Sequence, residues 1–185
     1  MLIITHRQKN TLNEMTQMGS IPKLTLYTNH YFVLFQDIDW CSYNYCTKTM
    51  AGNCLRSSIP LINRAASSRF IEFYDYKTEA IKKNPTVLFV PGFQSCGHGL
   101  KSQALIKHCQ SKKLRYVCYD PEALGESKLE DLTKLRFEHW FEDAQTAIKQ
   151  SQSDQIVLVG SSMGGWISLK MANENPDLIK GWFSF

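Results

Sequence analysis

The stretch of this chain best suited to chemistry is Gly160-Ser161-Ser162-Met163-Gly164. An apolar run over 155–159 enters it and a helix-like segment leaves it, the order of strand, tight turn and helix that lifts a serine hydroxyl clear of a sheet. A backbone bent that sharply leaves no room for side chains at its flanks, and Gly160 and Gly164 have no Cβ to clash. Ser162 is the candidate nucleophile. The Met163 amide, at the start of the following helix, points to where a tetrahedral oxyanion would form, and a helix N-terminus favours negative charge there.

Acyl transfer at a serine needs a second oxyanion donor, and the Phe93 amide, just past Gly92 at the end of another apolar run, is the candidate. The spacing Gly92-x-x-x-x-Gly97 approaches a phosphate-binding loop. His98 and Gly99 stand where Lys and Ser or Thr belong, however, so the cation and the magnesium ligand are missing. A serine also needs a base, usually His oriented by a carboxylate, and after this kind of turn the chain order is Ser, acid, His. The 23 residues after Ser162 (185 − 162) contain no His. Upstream, His98 reads as a solvated loop histidine, His108 and His139 as helix-surface or boundary residues, and Asp120 and Asp177 as turn formers. No acid or base of a triad is assigned within the chain, and no metal or cofactor is expected.

The elements that would position these residues follow from the apolar pattern. Residues 70–76 alternate around Glu72 and Asp75 as a half-exposed strand, and Asn84-Pro85 breaks the chain before 86–90, apolar throughout like a strand buried on both faces. A helical segment is expected near 100–110, a strand over 114–119, and a turn-rich loop from 120 to about 133. Phe137, Trp140, Phe141, Ala144, Ala147 and Ile148 make one apolar face of a helix over roughly 135–150. The 155–159 strand and a helix over 162–174 follow, then a stop at Asn175-Pro176 and an apolar segment over 179–185. Alternating strands and helices imply an α/β fold, a mostly parallel sheet with helices on both faces. Phe93 and Ser162 both lie at carboxyl ends of strands, where functional residues gather in such sheets.

Composition narrows the class. The chain has 185 residues, 43% hydrophobic, and a net charge of +4 spread without a basic block, which argues for a globular domain and against nucleic-acid binding. No run of 18 apolar residues exists, so no membrane span is expected. The six cysteines (Cys41, Cys46, Cys54, Cys96, Cys109 and Cys118) form no Cys-x-x-Cys pair and read as reduced thiols in an intracellular compartment.

Residues 1–69 read as a poorly structured extension to the domain at 70–185. Residues 1–49 show no clean period. From Met50 the chain becomes rich in Arg and Ser, with no acidic residue before Glu72, the composition of an organelle transit peptide at 50–69 or of a basic linker. On the first reading Met50 is the biological start, and 1–49 an upstream extension or gene-model artefact.

From about residue 70 the chain resembles the amino-terminal half of an α/β-hydrolase. More closely, it resembles the mitochondrial abhydrolase subfamily of acyl-protein thioesterases and acyl-glucuronide esterases. The resemblance rests on Leu88-Phe89-Val90-Pro91-Gly92-Phe93, on Tyr119-Asp120 with Gly125-x-Ser127, and on Val159-Gly160-Ser161-Ser162-Met163-Gly164-Gly165-Trp166. It implies a serine hydrolase acting on carboxylic esters or acyl thioesters, S-acylated proteins among them, with a mitochondrial address; a cytoplasmic one is the alternative. It also implies a lid, further strands and the triad Asp and His beyond Phe185. As given, the chain is then expected to be a truncated form, inactive or nearly so, with 179–185 a strand left with an unpaired apolar flank. The rival expectation is a non-catalytic fragment or splice form that binds a partner or has no stable role.

Overall fold

The computed structural model of the protein describes residues 3–4, 54–61, 70–78, 84–127, 133 and 135–185. In chain order the elements are strands β1 (Ile3–Ile4), β2 (Cys54–Pro60), β3 (Phe70–Tyr76) and β4 (Thr86–Val90), helix α1 (Leu100–Ser111), strand β5 (Tyr116–Asp120), helix α2 (Phe137–Ser151), strand β6 (Ile156–Gly160), helix α3 (Met163–Glu174) and strand β7 (Ile179–Ser184). They form one sheet in the order β1-β7-β6-β4-β5-β3-β2.

The four consecutive strands β7, β6, β4 and β5 are parallel, joined through α1, α2 and α3 as the alternating pattern implies. Antiparallel β3 and β2 continue the sheet beyond β5, and β1 pairs antiparallel with β7. Side chains alternate between two cores, because successive strand residues point to opposite faces. Val87 and Phe89 of β4, with Tyr116 and Cys118 of β5, join Leu105, Ile106 and Cys109 of α1 on one face. Leu88, Val90, Val117, Tyr119, Ile156 and Leu158 meet α2 and α3 on the other, against Trp140, Ala144, Ala147, Ile148, Ile167 and Met171. Helices therefore cover both faces.

Local sequence explains the helix ends. The chain leaves α2 through Gln152 in the left-handed conformation (φ 49°), one turn after Lys149. Asn175 closes α3, its side-chain amide donating to the Met171 carbonyl at 2.9 Å, and Pro176 prevents continuation. Gly164, Gly165, Ser168 and Ala172 on the buried side of α3 let it lie close to the sheet.

Three sequence expectations change. Residues 54–60, read as part of a poorly structured extension, pair with β3 along their whole length. The polar residues that made the segment look unstructured serve an edge strand, where Arg56 Nε meets Glu72 Oε2 at 2.7 Å and the Ser58 hydroxyl also donates to that carboxylate. The transit-peptide reading of 50–69 thus falls partly on a strand of the sheet, and the rest of 1–69, apart from β1 and Leu61, lies outside the described residues. Second, β3 is buried from Ile71 to Tyr76 rather than half-exposed, because β2 and β5 flank it and both of its faces are covered. Its acids are paired: Arg115 grips Asp75 with two bonds of 2.9 and 2.8 Å. Third, the outer edge of β7 is met by β1, Ile3 opposite Phe183 and Ile4 opposite Trp182.

Two stability outcomes follow. Leu158→Ala, at a fully buried position of β6, should cost about 2–5 kcal/mol in urea unfolding. Arg115→Met should cost about 1–3 kcal/mol by leaving the Asp75 carboxylate buried without its donors, and more than Arg56→Met, since Arg56 is half in solvent.

Candidate active site

Beyond the carboxyl ends of β4 and β6 the connections diverge. The chain leaves β4 toward α1 on one face and β6 toward α3 on the other, and such a switch point opens a crevice at the strand ends. The loop after β4 holds Phe93, and the turn after β6 holds Ser162.

Ser162 has φ 52° and ψ −117°, a left-handed backbone that costs a non-glycine residue on the order of 1–3 kcal/mol. Its neighbours hold it there. The Ser162 amide donates to the Phe185 carbonyl at 2.9 Å, Ser161 N donates to Val90 O at 3.1 Å, and the amides of Gly164 and Gly165 turn back to the carbonyls of Ser161 and Ser162 at 2.8 Å each. Two glycines make room for the bend. A Cβ on Gly160 would fall on the Gly164 backbone, and one on Gly164 would fall on the carbonyl of Val90. The result is an exposed Ser162 at the tip of the turn, with no hydrogen-bonded partner for its hydroxyl among the described residues.

The β4 loop lies directly against this turn. A Cβ placed on Gly92 would stand 2.6 Å from the Ser161 carbonyl and 3.4 Å from the Ser162 Cβ. Ser95 N closes a turn onto Gly92 O at 3.1 Å, with Phe93 inside it and Gln94 at φ 56°. The Phe93 and Met163 amides donate to no carbonyl in the loops, turns and caps described. Met163 N is a first-turn helix donor, which has no partner within its helix. The Phe93 side chain is 61% exposed and packs on Trp140, ring centroids 5.9 Å apart, which in turn meets Phe137 at 6.2 Å. On the opposite side Lys101 Nζ donates to Ser161 Oγ at 2.9 Å and sits 5.0 Å above the Phe185 ring.

Two residues read as ordinary loop groups prove to be buried. His98 is not solvated: Nε2 lies 2.7 Å from the Tyr76 hydroxyl, the ring meets Tyr74 edge-on at 3.9 Å, and burial pushes its pKa below 6.5 against the pull of Asp120. Asp120 does more than form a turn. Its Oδ1 accepts the Gly97 amide at 2.6 Å, and its Oδ2 accepts the Glu126 amide at 2.8 Å and the Tyr74 hydroxyl at 3.0 Å. Burial holds this carboxyl above the usual range. His139 is also buried rather than at the helix surface, with Nδ1 at 3.2 Å from Glu122 Oε2. No local sequence signal distinguishes these groups, since their partners come from other strands and loops.

Cysteine offers no rival nucleophile among the described residues. Cys54, Cys109 and Cys118 are free, but burial raises all three thiols, Cys109 to about 12, whereas a nucleophilic cysteine needs the reverse. Cys96, read as a reduced thiol, is disulfide-bonded. The described residues hold no cluster of His, Cys, Asp and Glu fit for a metal, and no helix among them is long and apolar enough to cross a membrane.

Known proteins share this fold. The mitochondrial palmitoyl-protein thioesterase ABHD10 of rat is 30% identical over 97 residues, which are 52% of this chain and 32% of the rat protein. The human protein of the same name is 28% identical over 127 residues, 65% of this chain and 40% of its own. The chain thus spans about a third of the length of the curated relatives it matches. Among solved structures, mouse alpha/beta hydrolase domain-containing protein 10 superposes with a TM-score of 0.58 at 26% identity, over 68% of this chain and 46% of the mouse chain. A thioesterase domain from the curacin biosynthetic pathway superposes at 0.56 with 21% identity, over 70% and 44%, which speaks to the fold alone. The family model for the alpha/beta hydrolase fold matches residues 85–184, more than half of the chain, and the protein belongs to that family.

Proposed function

We propose that the chain carries the nucleophile and the oxyanion donors of a serine hydrolase that cleaves carboxylic esters or acyl thioesters. The observation that carries this reading is the left-handed backbone of an exposed Ser162, with the Gly92-Phe93 turn pressed against it. Strain of this kind persists where the surroundings over-determine it, and it gathers at reacting groups. In the proposed reaction Ser162 Oγ attacks the acyl carbonyl carbon while a base takes its proton, and the carbonyl oxygen gathers charge between the amides of Phe93 and Met163. Collapse expels the alcohol or thiol, and water then releases the acid from the acyl-serine.

The relatives' names support a thioester as one substrate class, which brings an S-acylated protein within reach, and they support a mitochondrial address. Neither nucleic acid nor a bound cofactor has a part in this chemistry. A second reading, a non-catalytic chain that uses the same half-fold to bind, draws on the bare Ser162 hydroxyl. No imidazole is bonded to it among the described residues. Loss of a triad member costs on the order of 10⁴–10⁶ in rate, so turnover without a base would be slow.

The two readings separate when the base is supplied from outside. Intact-mass analysis after p-nitrophenyl acetate should show one acetyl group on Ser162, formed faster when imidazole is added, and none in Ser162→Ala. Equal acetylation of both chains at other residues would favour the binding reading.

A further inference from the structure

We propose that Asp120 is a positioning residue, whose carboxylate holds the oxyanion loop in place against the nucleophile turn from beneath. The inference rests on the hydrolase reading above and concerns how its Phe93 donor is kept aimed. The Phe93 backbone is held by the short turn that Ser95 closes onto Gly92, and its exposed ring by contact with Trp140. Its amide is useful only if the loop cannot drift, since the donor must stay within about 2.7–3.1 Å of the oxyanion position.

The restraint lies four and five residues downstream. Gly97 N donates to Asp120 Oδ1 at 2.6 Å, while the Gly97 carbonyl accepts the Ser102 hydroxyl. The His98 carbonyl accepts Gln103 Nε2 at 3.1 Å, and its ring is fixed between Tyr76 and Tyr74. Of these anchors Asp120 also reaches the second loop. Its other oxygen holds the Glu126 amide, and its carbonyl accepts the Ser127 hydroxyl at 2.6 Å, which itself accepts the amide of Glu72 in β3. One buried carboxylate therefore ties the loop after β4 to the loop after β5 and to β3.

The chemistry requires a carboxylate rather than an amide. Both oxygens accept a backbone N–H, one on each side. An asparagine has one carbonyl oxygen, so its NH₂ would have to face the other N–H donor. A protonated Asp120 meets the same conflict, since one oxygen then carries a hydrogen. The titratable and charged groups around it are His98 from the oxyanion loop, Tyr74 from β3, Cys118 from its own strand β5, Glu126 from the loop after β5 and Arg56 from β2, which lies over Tyr74 and near Glu126. Burial raises the carboxyl above 3.8, so the ionised form is lost at a higher pH than for an ordinary aspartate.

The test compares Ser162 acetylation by p-nitrophenyl acetate, with imidazole present, in the parent chain, Asp120→Asn and Tyr74→Phe. Asp120→Asn should lower the saturating rate on the order of 10–100-fold near neutral pH, short of the 10²–10³ that outright loss of an oxyanion donor costs. The half-saturating ester concentration should stay within about twofold. Tyr74→Phe keeps both amides bonded and should stay within a few-fold of the parent. The ratio of parent to Asp120→Asn cancels the titration of imidazole. It should shrink toward one as the pH falls and the parent carboxylate takes a proton, whereas a merely structural role leaves it constant. Equal rates, or a ratio that does not move with pH, overturn the proposal. Absence of Ser162 acetylation in the parent overturns the hydrolase reading and this role with it. Should Asp120→Asn not fold, hydrogen exchange of the parent decides. Corrected for intrinsic rates, the amides of Ser95 and Gly97 should lose protection at mildly acid pH while those of β4 and β6 keep theirs, and simultaneous loss overturns the proposal.

Discussion

The site depends on one strained residue, a serine with positive φ at the end of a buried strand. Such a conformation costs on the order of 1–3 kcal/mol, so it exists only where other contacts outweigh it. Four backbone hydrogen bonds of 2.8–3.1 Å surround it, to Val90 of β4, to Phe185 after β7, and within the first turn of α3. At about 1 kcal/mol net for each bond, they match or exceed the strain. Two segments remote in sequence, β4 and the residue after β7, must be in place before the bend is stable. The turn is thus a property of the sheet as much as of its own five residues.

That dependence explains why the loop after β4 and the turn after β6 share a location. β4 and β6 are adjacent and parallel, Val90 opposite Gly160, so both chains leave the sheet at the same level and part to opposite faces. The gap between them is where the Gly92-Phe93 turn rests on Ser161 and Ser162. Packing serves this arrangement on each side: α1 sends Lys101 to Ser161 from one face, and α3 begins at Ser162 with its small residues on the sheet at the other. A displaced helix on either side would reach the serine through a single hydrogen bond or a single turn.

What was legible in the sequence was local. The apolar runs of β4 and β6, the Gly-x-Ser-x-Gly turn between strand and helix, and the apolar face of α2 each carry their meaning within a dozen residues. Their elements stand where the pattern placed them. What escaped depends on partners far along the chain. Glu72 and Asp75 look like wet positions of β3 until Arg56 of β2 and Arg115, just before β5, meet them. Residues 54–60 look like linker because an edge strand needs only its backbone paired and tolerates polar side chains. His98 and Asp120 sit in loops, where a solvated or turn-forming role is the ordinary one, and their burial comes from β3 folding across both. The family resemblance supplied the site's outline but assigned neither of these two residues a part.

Asp120 and its neighbours also sharpen which parts of the chemistry must be rigid. Burying a carboxylate with no cation bonded to it is expensive, and here three donors offset the cost instead, two of them backbone amides that the loops could not satisfy internally. An apolar residue would remove the charge yet orphan both amides, which is why the polar solution holds here. Oxyanion stabilisation works through dipoles fixed before the charge appears, so it demands such over-determined loops, whereas a proton acceptor needs only to arrive within reach. In the proposed hydrolase reaction, the turns after β4 and β6 are the part of the machinery that has to be immobile. On that proposal the strained serine, the turn against it and the carboxylate beneath that turn are three places where the fold accepts a local cost to keep a donor or a nucleophile from moving.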